Sequence, residues 1–168
     1  MKTTVFLTLI ITLLLTTCTK DEGGIINISG ITTRDNVGNL LGGLDETDWT
    51  NDASFPDAVS SLLNFTETID YSNAEISTIQ IEAFPNPLES QFILNLSSST
   101  GTVIKYIIVD EALKVYSEYA LNLSAGNTLL AIQMNSSFPN NKYYRMYYAF
   151  YDKTKTIYFK GHGDLKKK

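Results

Sequence analysis

Between Tyr143 and Tyr151 the chain reads Tyr-Tyr-Arg-Met-Tyr-Tyr-Ala-Phe-Tyr, five tyrosines and an arginine in nine residues. Successive side chains of a strand project to opposite faces, so Tyr143, Arg145, Tyr147 and Tyr151 fall on one face. Tyr144, Met146, Tyr148 and Phe150 fall on the other and make the natural core face. An aromatic strip holding one cation suits stacking on sugar rings or burial against a partner protein. These four residues are therefore the expected ligand- or partner-binding set. A plainer alternative is that cross-strand tyrosine pairs stabilise the sheet, or that the helical region covers them.

Two other groups carry chemistry-bearing side chains. Asp35, Asp45, Glu46, Asp48 and Asp52 concentrate carboxylates in a Gly-rich stretch. Such oxygens suit Ca²⁺, but their spacing is not that of an EF-hand loop, and turn chemistry accounts for them without metal. The sole histidine, His162, stands between Gly161 and Gly163 with Asp164 nearby. One histidine does not make a zinc site, and a terminal loop is its expected place. No serine or cysteine nucleophile has a histidine partner in a recognisable setting, and no phosphate-binding glycine loop occurs. The expectation is a protein that is not an enzyme and holds no cofactor or metal.

The elements that position these residues follow from periodicity. Ser54, Pro56 and Asp57 start a helix over about 55–65, with Phe55, Ala58, Val59, Leu62 and Leu63 on one face. Short strands are predicted at Ile25–Ile31 and, less regularly, Leu40–Leu44. From Thr78 onward strand follows strand: Thr78–Phe84, Gln91–Leu96, Thr102–Val109, Leu113–Tyr119, Thr128–Met134, Tyr143–Tyr151 and Thr156–Lys160. Thr102–Val109 is apolar on both faces and is expected to be central. Seven strands at this spacing predict a mainly β chain folded as an antiparallel immunoglobulin-like sandwich, with one short helix in the N-terminal part.

Charge is divided along the chain. Residues 18–90 hold 13 acids against Lys20 and Arg34, a net of −11, and residues 91–168 hold 5 acids against 10 bases, a net of +5. That balance argues against a nucleic-acid partner. The division is expected to be 1–17 signal peptide, 18–24 tether, 25–78 acidic region with short strands and the helix, and 79–168 sandwich.

The N-terminus points to a compartment. Lys2 is followed by an apolar run, Val5–Leu15, of signal-peptide length. Leu15-Thr16-Thr17-Cys18 then resembles a bacterial lipobox, in which the cysteine is acylated and becomes the new N-terminus. The resemblance implies that Cys18, the chain's one cysteine, is lipidated, so that the membrane is a partner through this anchor. Lys20-Asp21-Glu22 resembles the surface-export signal of Bacteroidetes lipoproteins and implies an outer-membrane, cell-surface location. A protein or polysaccharide at the cell surface is the further expected partner.

Residues 79–168 carry a second likeness. Ala83-Phe84-Pro85-Asn86-Pro87, then Phe92-Ile93-Leu94-Asn95-Leu96, a central strand ending in Val109-Asp110, and Leu121-Asn122-Leu123 before Gly126-Asn127 resemble the C-terminal sorting domain of type IX secretion cargo. That family is an immunoglobulin-like sandwich, and the resemblance implies a sorting or docking role as the alternative to a binding module. The whole arrangement is also similar to small Bacteroidetes lipoproteins.

Overall fold

The computed structural model describes residues 26–64, 79–151 and 157–168, with Tyr158 described along its backbone only. The signal peptide and Cys18 fall outside the described residues, as does the tether. Seven strands follow one helix: α1 Asp57–Leu63, β1 Ile79–Phe84, β2 Gln91–Ser98, β3 Thr102–Val109, β4 Val115–Leu123, β5 Gly126–Gln133, β6 Lys142–Tyr151 and β7 Ile157–Lys167. They form two antiparallel sheets, β1-β2-β5 and β4-β3-β6-β7. The fold is an immunoglobulin-like β-sandwich.

The core follows the predicted alternation. Phe92, Leu94 and Leu96 of β2 meet Ile104, Tyr106 and Ile108 of β3 and Tyr144, Met146, Tyr148 and Phe150 of β6. β3 is central, paired with both β4 and β6. Its outward residues Ile107 and Val109 are also buried, beneath Ile26, Ile28, Val59 and Leu63. A helix of seven residues is marginal alone and depends on this packing. It begins at Asp57, later than predicted, with Pro56 and not Ser54 at its N-cap, and Asn64 in the left-handed conformation ends it.

Three expectations need correction. Residues 26–31 are not a strand. Ile26 and Ile28 are buried alternately as predicted, but they lie on the outer face of the larger sheet. There β3 and β6 already have partners on both sides, so no ladder is open to this segment. Leu40–Leu44 contributes a single bridge, Arg34 to Leu40, and no strand. β7 runs to Lys167 and not Lys160, which carries Gly161, His162, Gly163 and Asp164 into the sheet.

The outer edge of β7 is closed by the N-terminal segment and the β1–β2 turn. Trp49 N–H donates to the His162 carbonyl (2.7 Å) and Asp52 N–H to that of Lys160 (2.8 Å). In return the N–H groups of Asp164 and Lys166 donate to the side chains of Asp48 and Asn86. Leu88 and Lys167 add a parallel bridge. An exposed edge invites pairing with other chains, and here it is covered. Trp49 also joins the main core, so residues 26–64 are packed onto the sandwich rather than beside it.

Candidate functional site

The structure gathers three of the four strip residues beneath the N-terminal segment. Tyr147 keeps 3% of its surface, with the edge of the Phe55 ring against it at 5.3 Å between centroids. Arg145 reaches Asp164 with both Nε and Nη2, each at 2.6 Å, and donates from Nη2 to the Asn27 carbonyl. Tyr143 is half-buried, with the Lys166 ammonium 5.1 Å from its ring centre. Tyr151 is also half-buried and sits beyond a register shift at the far end of β6. The strip is thus a floor for residues 26–28 and α1, not an open face. The cause is apolar area: Ile107 and Val109 of the neighbouring β3 require a cover, and that cover extends over Tyr147.

The acids have local duties. Asp35 accepts from the Asn39 side-chain amide and from the N–H groups of Val37 and Asn39, which closes its own turn and holds its carboxyl below the usual range. Asp45 does the same for Thr47. Asp48 bridges segments, taking the Thr32 N–H on one oxygen and the Asp164 N–H on the other, both at 2.8 Å. Asp52 lies 2.7 Å from His162 Nδ1. His162 therefore lies half-buried in β7 beside Tyr147 and is not in a terminal loop.

Carboxylate oxygens of Asp45, Asp48 and Asp164 come within 4.8 Å of one another. Each is already engaged by protein donors. Burial pushes the Asp48 carboxyl up to about 6 from 3.8, against its two backbone hydrogen bonds and assisted by the Asp164 charge. A carboxyl raised on folding binds its proton more tightly in the folded chain. Its contribution is therefore fully present below about pH 4 and lost as pH rises through about 6. Urea-unfolding profiles are expected to show stability falling over that interval by on the order of 2 kcal/mol relative to Asp48→Asn. Parallel profiles for the two chains would remove Asp48 from the account. Asp35 and Asp45, whose values are lowered, act in the opposite sense and below that window.

Among the described residues two surfaces remain apolar, and neither is singled out by the sequence pattern. The first is the side of the sandwich opposite β7. There β4 pairs only with β3, and β5 only with β2, among the described residues. A cleft of about 420 Å³ opens between them, lined by Tyr106, Tyr119, Leu121, Leu129, Leu130 and Ile132. Tyr119 and Leu129 keep 56% and 65% of their surface. β5 carries no charged residue, and β4 only Glu118. The second surface is the loop after Arg34, where Val37, Leu40, Leu41 and Leu44 keep 48–75% of theirs.

No protein-family model matches the chain. No curated protein matches it either. Among solved structures, it is similar to the CARDB domain of a Pyrococcus furiosus protein in complex with di-metal ions, at 12% identity and a TM-score of 0.35, over 54% of this chain and 90% of that one. It is also similar to a β-glucuronidase of glycoside hydrolase family 2, at 13% identity and a TM-score of 0.31, over 54% of this chain and 11% of that one.

Proposed function

We propose that the chain is a lipoprotein of the outer membrane, anchored through Cys18 and displayed at the cell surface, which acts as a non-enzymatic binding module. The observation that carries the binding reading is the uncovered β4–β5 side. β7 is sealed by loops, whereas among the described residues β5 has a strand partner on one side only, and it carries no charge or proline to repel a second strand. The partner is a protein that lays an extended segment along β5 and seats an apolar side chain between Tyr119 and Leu129. The anchor rests on the Lys2–Cys18 pattern, since two or three acyl chains hold a protein to a membrane almost irreversibly.

A photocrosslinking residue at Ala131, in the acylated protein on intact cells, is expected to give an adduct of one defined mass. Adding Leu129→Lys puts a charge into the seat and should reduce adduct yield at least ~10-fold, the equivalent of ~1.4 kcal/mol. Yield unchanged by Leu129→Lys rejects the seat. A Cys18→Ser chain is expected in the soluble fraction, and its retention in membranes rejects the anchor.

A further inference from the structure

We infer that the loop carrying Val37, Leu40, Leu41 and Leu44 is a second membrane contact, inserted into the lipid surface to which Cys18 is tied. The inference rests on the anchor proposed above and adds the face that the domain turns toward the bilayer.

The loop is a built feature. Thr33 N–H donates to the Gly43 carbonyl (2.8 Å), Leu41 N–H to that of Thr33 (2.9 Å) and Asp35 N–H to that of Asn39 (3.0 Å). Arg34 braces it from below, donating from Nη1 to the Gly38 carbonyl at 2.7 Å and pairing with Glu82 of β1 at 3.2 Å. Gly38, at φ 92°, lies against the Phe84 ring. Four aliphatic side chains within eight residues stay exposed on this frame, and exposed apolar groups gathered in one place commonly mark an interaction surface.

The tether says what covers it. Ile26 N–H donates to the Glu111 carbonyl in the β3–β4 turn. The base of the loop is held at the same end of the sandwich, because Arg34 and Asn86 of the β1–β2 turn exchange both backbone hydrogen bonds. Between these points the chain crosses β3, β6 and β7, a span of about 15 Å at ordinary strand spacing. Ile26 is eight residue steps from Cys18, so the acylated end lies within about 29 Å of Ile26 even at full extension. The aliphatic loop is therefore on the end tied to the membrane, within reach of its surface. Asp35, Asp45 and Glu46 flank it, so the attraction is apolar and fits a zwitterionic surface better than an anionic one. Acyl chains already supply the affinity, and the loop supplies orientation.

The test uses the acylated full chain, in which Cys18 is blocked and Leu41→Cys supplies the only thiol. The protein is labelled there with an environment-sensitive fluorophore and reconstituted into phosphatidylcholine vesicles. Ala125→Cys, in the β4–β5 turn at the other end of the sandwich, is the reference. Quenchers fixed near the top of the acyl chains should quench position 41 at least twofold more than position 125, and aqueous iodide should show the reverse order. Equal quenching at the two positions, or iodide access at 41 with Cys18 acylated, overturns the inference and leaves the anchor standing. A free thiol at Cys18, read by mass spectrometry before labelling, overturns the anchor and the inference together.

Discussion

Gly161→Ala is expected to lower the stability of the fold by about 3 kcal/mol or more, with Gly163→Ala close behind. A Cβ at 161 would overlap the Thr50 carbonyl oxygen and come within 2.7 Å of the Tyr148 hydroxyl, and one at 163 would overlap the Trp49 ring. Neither obstacle is the free end of a flexible side chain. Thr50 lies between two backbone hydrogen bonds to β7, from Trp49 and from Asp52, and Trp49 stacks on Tyr148 with ring planes 2° apart. Relief requires residues 49–52 to lift from β7, which uncovers that edge and opens the core at Trp49. Trp49 is the only tryptophan, so tryptophan emission reports the surroundings of this one ring. Equilibrium urea unfolding followed by that emission should show a midpoint lower by roughly 1 M or more, with a red-shifted native signal. Gly101→Ala is the control: its Cβ would meet nothing nearer than the Leu123 carbonyl at 3.6 Å, and its midpoint should stay near that of the parent chain. If Gly161→Ala behaves like Gly101→Ala, the N-terminal segment does not close the β7 edge.

Those two glycines also show why part of the fold was legible and part was not. The alternation in β6 reports burial that each side chain experiences locally, and Tyr144, Met146, Tyr148 and Phe150 all point to the core as predicted. β7 obeys the same sheet geometry, but Gly161 and Gly163 are small because of residues more than a hundred positions earlier in sequence. Read locally, Gly-His-Gly signals a loop. Read with Thr50 and Trp49 in place, it is a strand thinned to admit another segment. Asn86 is a parallel case. Within the Phe-Pro-Asn-Pro opening it reads as a turn residue, yet its amide donates to the carbonyls of Thr32 and Asp164 and its carbonyl accepts from Lys166 N–H.

The tyrosine strip had a usable signal that periodicity in β6 alone does not contain. β3 is apolar on both faces, so something had to cover its outer side, and β6 pairs with β3. A cover wide enough for Ile107 and Val109 extends to Tyr147, which stands opposite Ile107 in the ladder. The β4–β5 side was less accessible to sequence reasoning. Tyr119 and Leu130 lie in strands that the pattern predicts, and only the strand order reveals that, among the described residues, both strands are at sheet edges.

Asp164→Ala is expected to destabilise the chain by about 3–5 kcal/mol, because it leaves a charge buried without its partner. Both oxygens of Asp164 hold Arg145, and the side chains keep only 1% and 15% of their surface. Burial disfavours the guanidinium charge, and the hydrogen bond and charge of Asp164 outweigh that effect, so Arg145 stays firmly protonated. Without Asp164 the guanidinium retains the Asn27 carbonyl at 3.3 Å. Removing both charges should be milder than removing one. In a cycle of Asp164→Ala, Arg145→Met and the double variant, the double is expected to lose less than the sum of the singles. The same cycle probes the neighbouring acid. The Asp164 charge helps to raise Asp48, so in Asp164→Ala the fall in stability between about pH 4 and pH 6 should become shallower. Additive losses together with an unchanged pH profile would mean that Arg145, Asp164 and Asp48 act separately, and that the N-terminal segment is held to β7 by its backbone hydrogen bonds and Trp49 alone.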